Sequence, residues 1–207
     1  IIDKVSPDQI RSWFTFLLSE GVTAKSLHRK YAALNAYYKY AVRHAQLTQN
    51  PMEQILLPKI PRRLPQFLDE QVVNEFLLSK PFIQDYTAVL SYTIAATLYY
   101  TGLRRSELAG LRMESLDMHE RQLRVRGKGA KDRIVPINPD LFDILTEYLK
   151  VRQTLQALDN ALFISELKRG ISERQVYELV RNLLSLLGVR GKKSPHVLRH
   201  SFATHLM

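Results

Sequence analysis

A chain of 207 residues, 45% of them hydrophobic, is long enough for one large or two modest domains, each with its own core. Its formal charge of +10 and pI near 9.8 call for a polyanionic partner, and zero cysteines exclude disulfides and thiolate metal sites. No apolar run approaches the roughly 18–20 residues of a spanning helix and no signal-peptide pattern opens the chain, so nucleic acid is the better partner and no membrane is expected.

In chain order, Ser6-Pro7-Asp8-Gln9 carries an N-cap, a first-turn proline and a capping-box glutamine. Ile10, Trp13, Phe14, Leu17 and Leu18 follow at helical spacing, and Gly21 stops the helix. A second helix is predicted from about Thr23 to Ala45, with Leu27, Tyr31, Leu34, Tyr38 and Ala41 on its apolar side. Lys25, Arg29, Lys39 and Arg43 lie largely off that side, where they could face a phosphate backbone. Tyr37, Tyr38 and Tyr40 could stack on bases, but an aromatic stripe at this spacing reads first as core.

Asn50-Pro51 opens a turn, and Pro58, Pro61 and Pro65 exclude a helix or central strand over 58–67. This stretch is expected to be an interdomain linker, made basic by Lys59, Arg62 and Arg63. Residues 1–67 hold 10 Lys+Arg against 4 Asp+Glu, a surplus of +6 out of +10, which makes the smaller half the better polyanion binder.

Beyond the linker, Asp69 is placed to cap a short helix, and an apolar helix from about Gln84 to Tyr100 ends at Gly102, suited to a left-handed cap. Arg104 and Arg105 follow, and Ser106-Glu107-Leu108 starts another short helix. Leu123 and Val125, then Ile134, Val135 and Ile137, bracket a hairpin whose tip is Gly127-Lys128-Gly129-Ala130-Lys131-Asp132. The tip lacks P-loop spacing, leaving a solvated turn or a lysine carried on a hairpin toward a ligand. Asn138-Pro139 and Ser172 with Gln175 open two further helices, the second closing at Gly188, and Lys192 and Lys193 lead into the last motif.

That motif is Ser194-Pro195-His196-Val197-Leu198-Arg199-His200, read as an N-cap serine, a first-turn proline and a helix with His196 and Arg199 on one face. His200 lies one turn beyond His196. Backbone N–H groups at a helix start add partial positive charge, so phosphate suits this surface, while surface His and Arg near a chain end are also commonplace. His196 and His200 have the spacing of a zinc pair. Without the motif's glutamate or any cysteine, no metal is expected.

Thr101-Gly102-Leu103-Arg104-Arg105-Ser106-Glu107-Leu108, then Gly127-Lys128-Gly129, then His196-Val197-Leu198-Arg199-His200, in this order and spacing, resemble the tyrosine recombinase (phage integrase) family, most like its Xer branch. The resemblance covers essentially the whole chain. It implies a mostly α fold with a small antiparallel sheet (α+β): a helical, SAM-like core-binding domain over 1–57 that lacks its first helix, the linker 58–67, and a catalytic domain over 68–207.

The resemblance further implies strand exchange through a 3′-phosphotyrosyl intermediate without cofactor, metal or nucleotide. Arg104 and Arg199 would clamp the phosphate, His196 would donate a hydrogen bond or move a proton, and Lys128 would protonate the leaving 5′-oxygen. Glu107 and His200 are auxiliary, with Glu107 orienting an arginine or serving as a solvated, helix-stabilising carboxylate. The expected DNA contacts are Lys25, Arg29, Lys30, Arg43, Lys59, Arg62, Arg63, Lys131 and Arg133. The nucleophilic tyrosine is expected after Met207, since none of the ten tyrosines follows Arg199, which would leave this chain inactive alone. The implied partners are a duplex recombination site, a homo- or hetero-tetramer of protomers and a DNA translocase as activator, at the bacterial nucleoid in the cytoplasm. A type IB topoisomerase and a non-catalytic DNA-binding relative are the alternative readings.

Overall fold

The computed structural model describes residues 5–60, 68, 70–78, 85–127, 131–189, 191 and 193–205. The chain divides into two compact units, residues 1–64 and 65–207. Most of the expected linker, with Arg62 and Arg63, lies outside the described residues, as do Asp69 and Lys128.

In the first unit, helix α1 (Pro7–Ser19) starts as its capping box requires: the Ser6 hydroxyl accepts from the Gln9 N–H and the Gln9 side chain accepts from the Ser6 N–H. Helix α2 (Ala24–Arg43) is capped by Thr23, and Asn50 caps a 3₁₀ turn over Pro51–Gln54. Asn50 is buried, donating to Asn35 and accepting from Met52 N. Ile10, Phe14, Leu27, Tyr38, Met52 and Ile55 form the core of the unit.

Two apolar expectations fail here. Trp13 and Leu18 are exposed on α1, and of the three clustered tyrosines only Tyr38 is core. Tyr37 and Tyr40 lie at the solvent face, Tyr40 stacked on His44 with ring centroids 3.9 Å apart. Helix geometry explains the split, because consecutive residues turn by 100° and cannot share one buried stripe.

The second unit is built round helix α4 (Tyr86–Thr101), buried over most of its length; α3 (Glu70–Leu78) precedes it. Such a helix, apolar all round, must be enclosed. It packs against α5 (Arg105–Ala109), α6 (Pro139–Thr154), α7 (Glu173–Leu186) and α8 (Pro195–His205). Asp85 caps its start, and Gly102 takes the left-handed conformation at its end, with φ of 59°. The described residues are thus mostly helical, with one small antiparallel sheet.

That sheet has the order β1 (Leu116–Asp117), β2 (Gln122–Arg126), β3 (Asp132–Pro136). Leu123 pairs with Val135 and Val125 with Arg133. Leu123 and Val125 are fully buried, whereas Ile134 is exposed; strand alternation puts Arg133 and Val135 on the inner side. The two-residue β1 was not foreseen in the sequence. Among the described residues, no helix is long and apolar enough to cross a membrane.

Candidate active site

The site grows from the end of α4. Gly102 turns the chain, Leu103 is buried, and Arg104 becomes the N-cap residue of α5, its side chain 58% exposed. Any Cβ on Gly102 would lie 2.7 Å from Cδ1 of Phe202, so glycine lets α8 close against the turn. Arg199, half-buried on α8, donates from Nη1 to the Gly102 carbonyl oxygen. One turn therefore positions both guanidiniums.

Glu107 is the hub of the site. Its side chain is only 6% exposed, so it is no solvated carboxylate. Oε1 accepts from Arg104 Nη1 at 2.9 Å and from Arg133 Nη1 at 2.9 Å. Oε2 accepts from the Arg104 backbone N–H at 2.8 Å and from Arg133 Nη2 at 2.8 Å. The bidentate Arg133 fork, chiefly, with the Arg104 bonds adding to it, overrides burial and pulls the Glu107 carboxyl down to about 2. The reciprocal bond holds the Arg133 guanidinium above its ordinary value. Arg133, expected as a phosphate contact, thus turns its fork onto Glu107. Arg105 completes the frame by bridging to Glu173 at the start of α7, Nη2 to Oε2 3.0 Å.

On α8, His196 and His200 are exposed while Val197 and Leu198 are buried. The Ser201 hydroxyl, fully buried, accepts from Leu68 N at 2.8 Å and donates to Val197 O, fixing the helix at its core side. The expected Ser194 cap is not made: its Oγ is buried and has no hydrogen-bond partner among the described residues. The Pro195 ring supplies the helix start instead, since its fixed φ suits the first turn. Lys128, the fourth member of the expected set, lies outside the described residues; the flanking Gly127 N–H donates to Lys131 O at 2.9 Å.

The first unit carries a separate basic face. Lys25, Arg29, Ala32, Ala36, Lys39 and Arg43 recur down the exposed side of α2, opposite Leu27, Tyr38 and Ala41. Small alanines between the cations leave the helix backbone approachable. Lys30 and Lys59 are also exposed, Lys30 about 100° round α2 from Arg29 and so off this stripe, Lys59 near the end of the unit.

Burial pushes the hydroxyls of Tyr38, Tyr86, Tyr92, Tyr100 and Tyr148 up, away from the readily ionised state of a nucleophile.

The profile described as "Phage integrase family" matches residues 66–207, and that of "Phage integrase, N-terminal SAM-like domain" matches residues 1–45. The tyrosine recombinase XerC of Thermodesulfovibrio yellowstonii is 36% identical over 212 residues, covering 99% of this chain and 70% of that protein. The XerC of Haemophilus influenzae is 33% identical, covering 99% of this chain and 68% of its own length. Among solved structures, XerA recombinase is 25% identical with a TM-score of 0.62, over 99% of this chain and 70% of that one. The Tn1549 transposon integrase in complex with transposon right end DNA has a TM-score of 0.81 over 100% of this chain and 74% of that one, at 21% identity, a likeness of fold. The chain belongs to the phage integrase family of tyrosine recombinases, enzymes of site-specific recombination.

Proposed function

We propose that this chain binds a duplex recombination site through both a helical core-binding domain and a catalytic domain, with the Pro-rich stretch at 58–67 as the linker, and that Arg104 and Arg199 hold one phosphodiester for attack. The observation that carries this reading is the shared turn: Arg199 bonds to Gly102 O two residues before Arg104, and Glu107 fixes Arg104 from below. A phosphate under attack gathers charge on its non-bridging oxygens, and two guanidiniums held by one frame are preorganised to meet it. His196, exposed on the same helix as Arg199, is placed to donate a further hydrogen bond or move a proton, with His200 a turn beyond.

In this reaction a tyrosine oxygen bonds to phosphorus as the bond to the 5′-oxygen breaks, and that oxygen takes a proton, assigned to Lys128 by family resemblance. The phosphotyrosyl bond keeps the energy of the phosphodiester, so rejoining needs no cofactor. We assign the nucleophile's role to none of the ten tyrosines present: none follows Arg199, Tyr38, Tyr92 and Tyr148 are buried, and desolvation also raises the hydroxyls of half-buried Tyr86 and Tyr100. Lys25, Arg29, Lys30 and Arg43 on α2, with Lys59, Arg62, Arg63 and Lys131, supply backbone contacts. The XerC relatives and the recombinases solved with DNA support a DNA site as the partner; family resemblance adds a tetramer of protomers, a translocase as activator and the nucleoid in the cytoplasm as the place of action.

The experiment is to select duplexes from a randomised library on residues 1–207, then incubate nicked versions of the selected duplex with the same chain and resolve the mixture under denaturing conditions. Specific binding that weakens steeply with salt, with no covalent band, is expected. Failure to enrich any sequence would remove the site-specific reading, and a covalent band would place the nucleophile among the ten tyrosines.

A further inference from the structure

The strongest unassigned feature is the inward-facing arginine on the hairpin. Arg133 and Glu107 are 26 residues apart in sequence and belong to different elements, yet they share a two-pronged ion pair, Nη1 to Oε1 at 2.9 Å and Nη2 to Oε2 at 2.8 Å. Such a fork–fork pair fixes direction as well as distance. The same carboxylate holds Arg104 through its side chain and its backbone N–H.

Charge accounting gives the pair its purpose. Glu107 and Arg104 alone would form a neutral couple, with the negative charge beside the guanidinium meant to attract phosphate. Arg133 brings the three-residue cluster to a net +1. Each Glu107 oxygen then shares its electron density between two donors, and Arg104 keeps its exposed edge for an anion.

We propose that Arg133 is a positioning residue for recombination: by pairing with Glu107 it returns the net positive charge that Glu107 would otherwise cancel at Arg104. This rests on the phosphate-clamp reading of Arg104 above. Arg133 touches no substrate in this scheme. It acts through Glu107, and a duplex phosphate is the group that senses it.

The test uses residues 1–207 and the selected duplex, made either with its natural phosphodiesters or with one uncharged methylphosphonate, at the phosphate whose neutralisation costs the wild-type chain most affinity when each is replaced in turn. The readout is the ratio of the two affinities, which isolates attraction for that one negative charge from every other contact. In the wild-type chain the ratio is expected to be about tenfold or more, the worth of a charge-assisted hydrogen bond. Arg133→Ala should lower it several-fold, with Arg199 still contributing, while affinity for the methylphosphonate duplex stays within about twofold. E107Q/R133A, which removes the uncompensated carboxylate charge as well, should restore most of the ratio. Arg133→Lys, which keeps the charge but loses the fork, should retain it in part.

An unchanged ratio in Arg133→Ala would overturn the proposal. So would loss in both R133A and E107Q/R133A, because a merely structural role would not be rescued by a second change in the same cluster. Complete loss in Arg133→Lys would also overturn it. If Arg133→Ala does not fold, the lysine and double variants carry the test by themselves. Arg104→Ala separates the two claims: if it keeps the wild-type ratio the phosphate-clamp reading itself fails, whereas loss there with no change in Arg133→Ala sinks only the role of Arg133.

Discussion

The Arg199 side chain donates from Nη1 to the carbonyl oxygen of Gly102, two residues ahead of Arg104, so a single left-handed turn sets the position of both guanidiniums. The clamp is therefore no assembly of independent side chains. It is a property of the packing of α8 onto the end of α4, with Phe202 filling the space that a Cβ on Gly102 would need.

Gly102→Ala should accordingly damage fold and site together. Overpacking of this kind costs about 1–3 kcal/mol, and a residue with a Cβ pays a further roughly 1–2 kcal/mol for the left-handed backbone. Denaturant unfolding should show the loss, and phosphate discrimination should fall with it. Wild-type stability in this variant would mean that α8 does not close on the turn.

Glu107 should leave a signature in acid. Its folded value, about 2, lies below the ordinary carboxylate range, so its contribution is present in full above that range and drains away as pH falls toward about 2. Between about pH 5 and about pH 3 the wild-type chain should lose stability faster than Glu107→Gln in urea titrations. Parallel pH dependences would show that the carboxylate is not held by the two arginines.

Ser194→Ala distinguishes a helix cap from a buried orphan hydroxyl. Loss of a serine cap costs about 0.5–2 kcal/mol, whereas removing an unsatisfied buried hydroxyl is neutral or stabilising. With Oγ unpartnered among the described residues, the urea midpoint should hold or rise. A drop equivalent to about 1 kcal/mol would restore the cap reading.

Asn50→Ala probes the smaller unit. The side chain joins Asn35 to the 3₁₀ turn through two hydrogen bonds in a buried setting, and its loss should cost about 1–2 kcal/mol. Limited proteolysis of residues 1–64 should become faster in this variant, while cleavage within 65–207 stays unchanged. Equal acceleration in both units would contradict the separate cores seen here.

Local signals in the sequence carried most of the frame. Capping boxes at Ser6 and Ser172, Asn138 before proline, and Gly102 after an apolar run each act within four residues, so the helix starts and the turn before Arg104 could be read directly. The Arg133–Glu107 pair could not, because it joins a strand to a helix across 26 residues. A signal did exist: on β3, strand alternation places Arg133 on the same face as half-buried Val135, which aims the guanidinium inward. The tyrosines of α2 misled because hydrophobic character alone does not say which of several neighbouring rings falls within the buried stripe. Ser194 is of a residue type that caps helices and precedes a first-turn proline, but its hydroxyl is buried without a partner among the described residues.

The central claim is that Arg104 and Arg199 converge on one phosphate, and ethylation interference on the selected duplex tests it most directly. Each phosphate in turn loses its charge, and those the protein needs are revealed by exclusion from the bound fraction. The wild-type chain should show one strongly interfering phosphate per half-site beyond the general backbone pattern. Arg104→Ala and Arg199→Ala should each lose interference at that same phosphate and keep the remaining pattern. If the two variants lose interference at different phosphates, or at none, the two arginines do not form a common clamp.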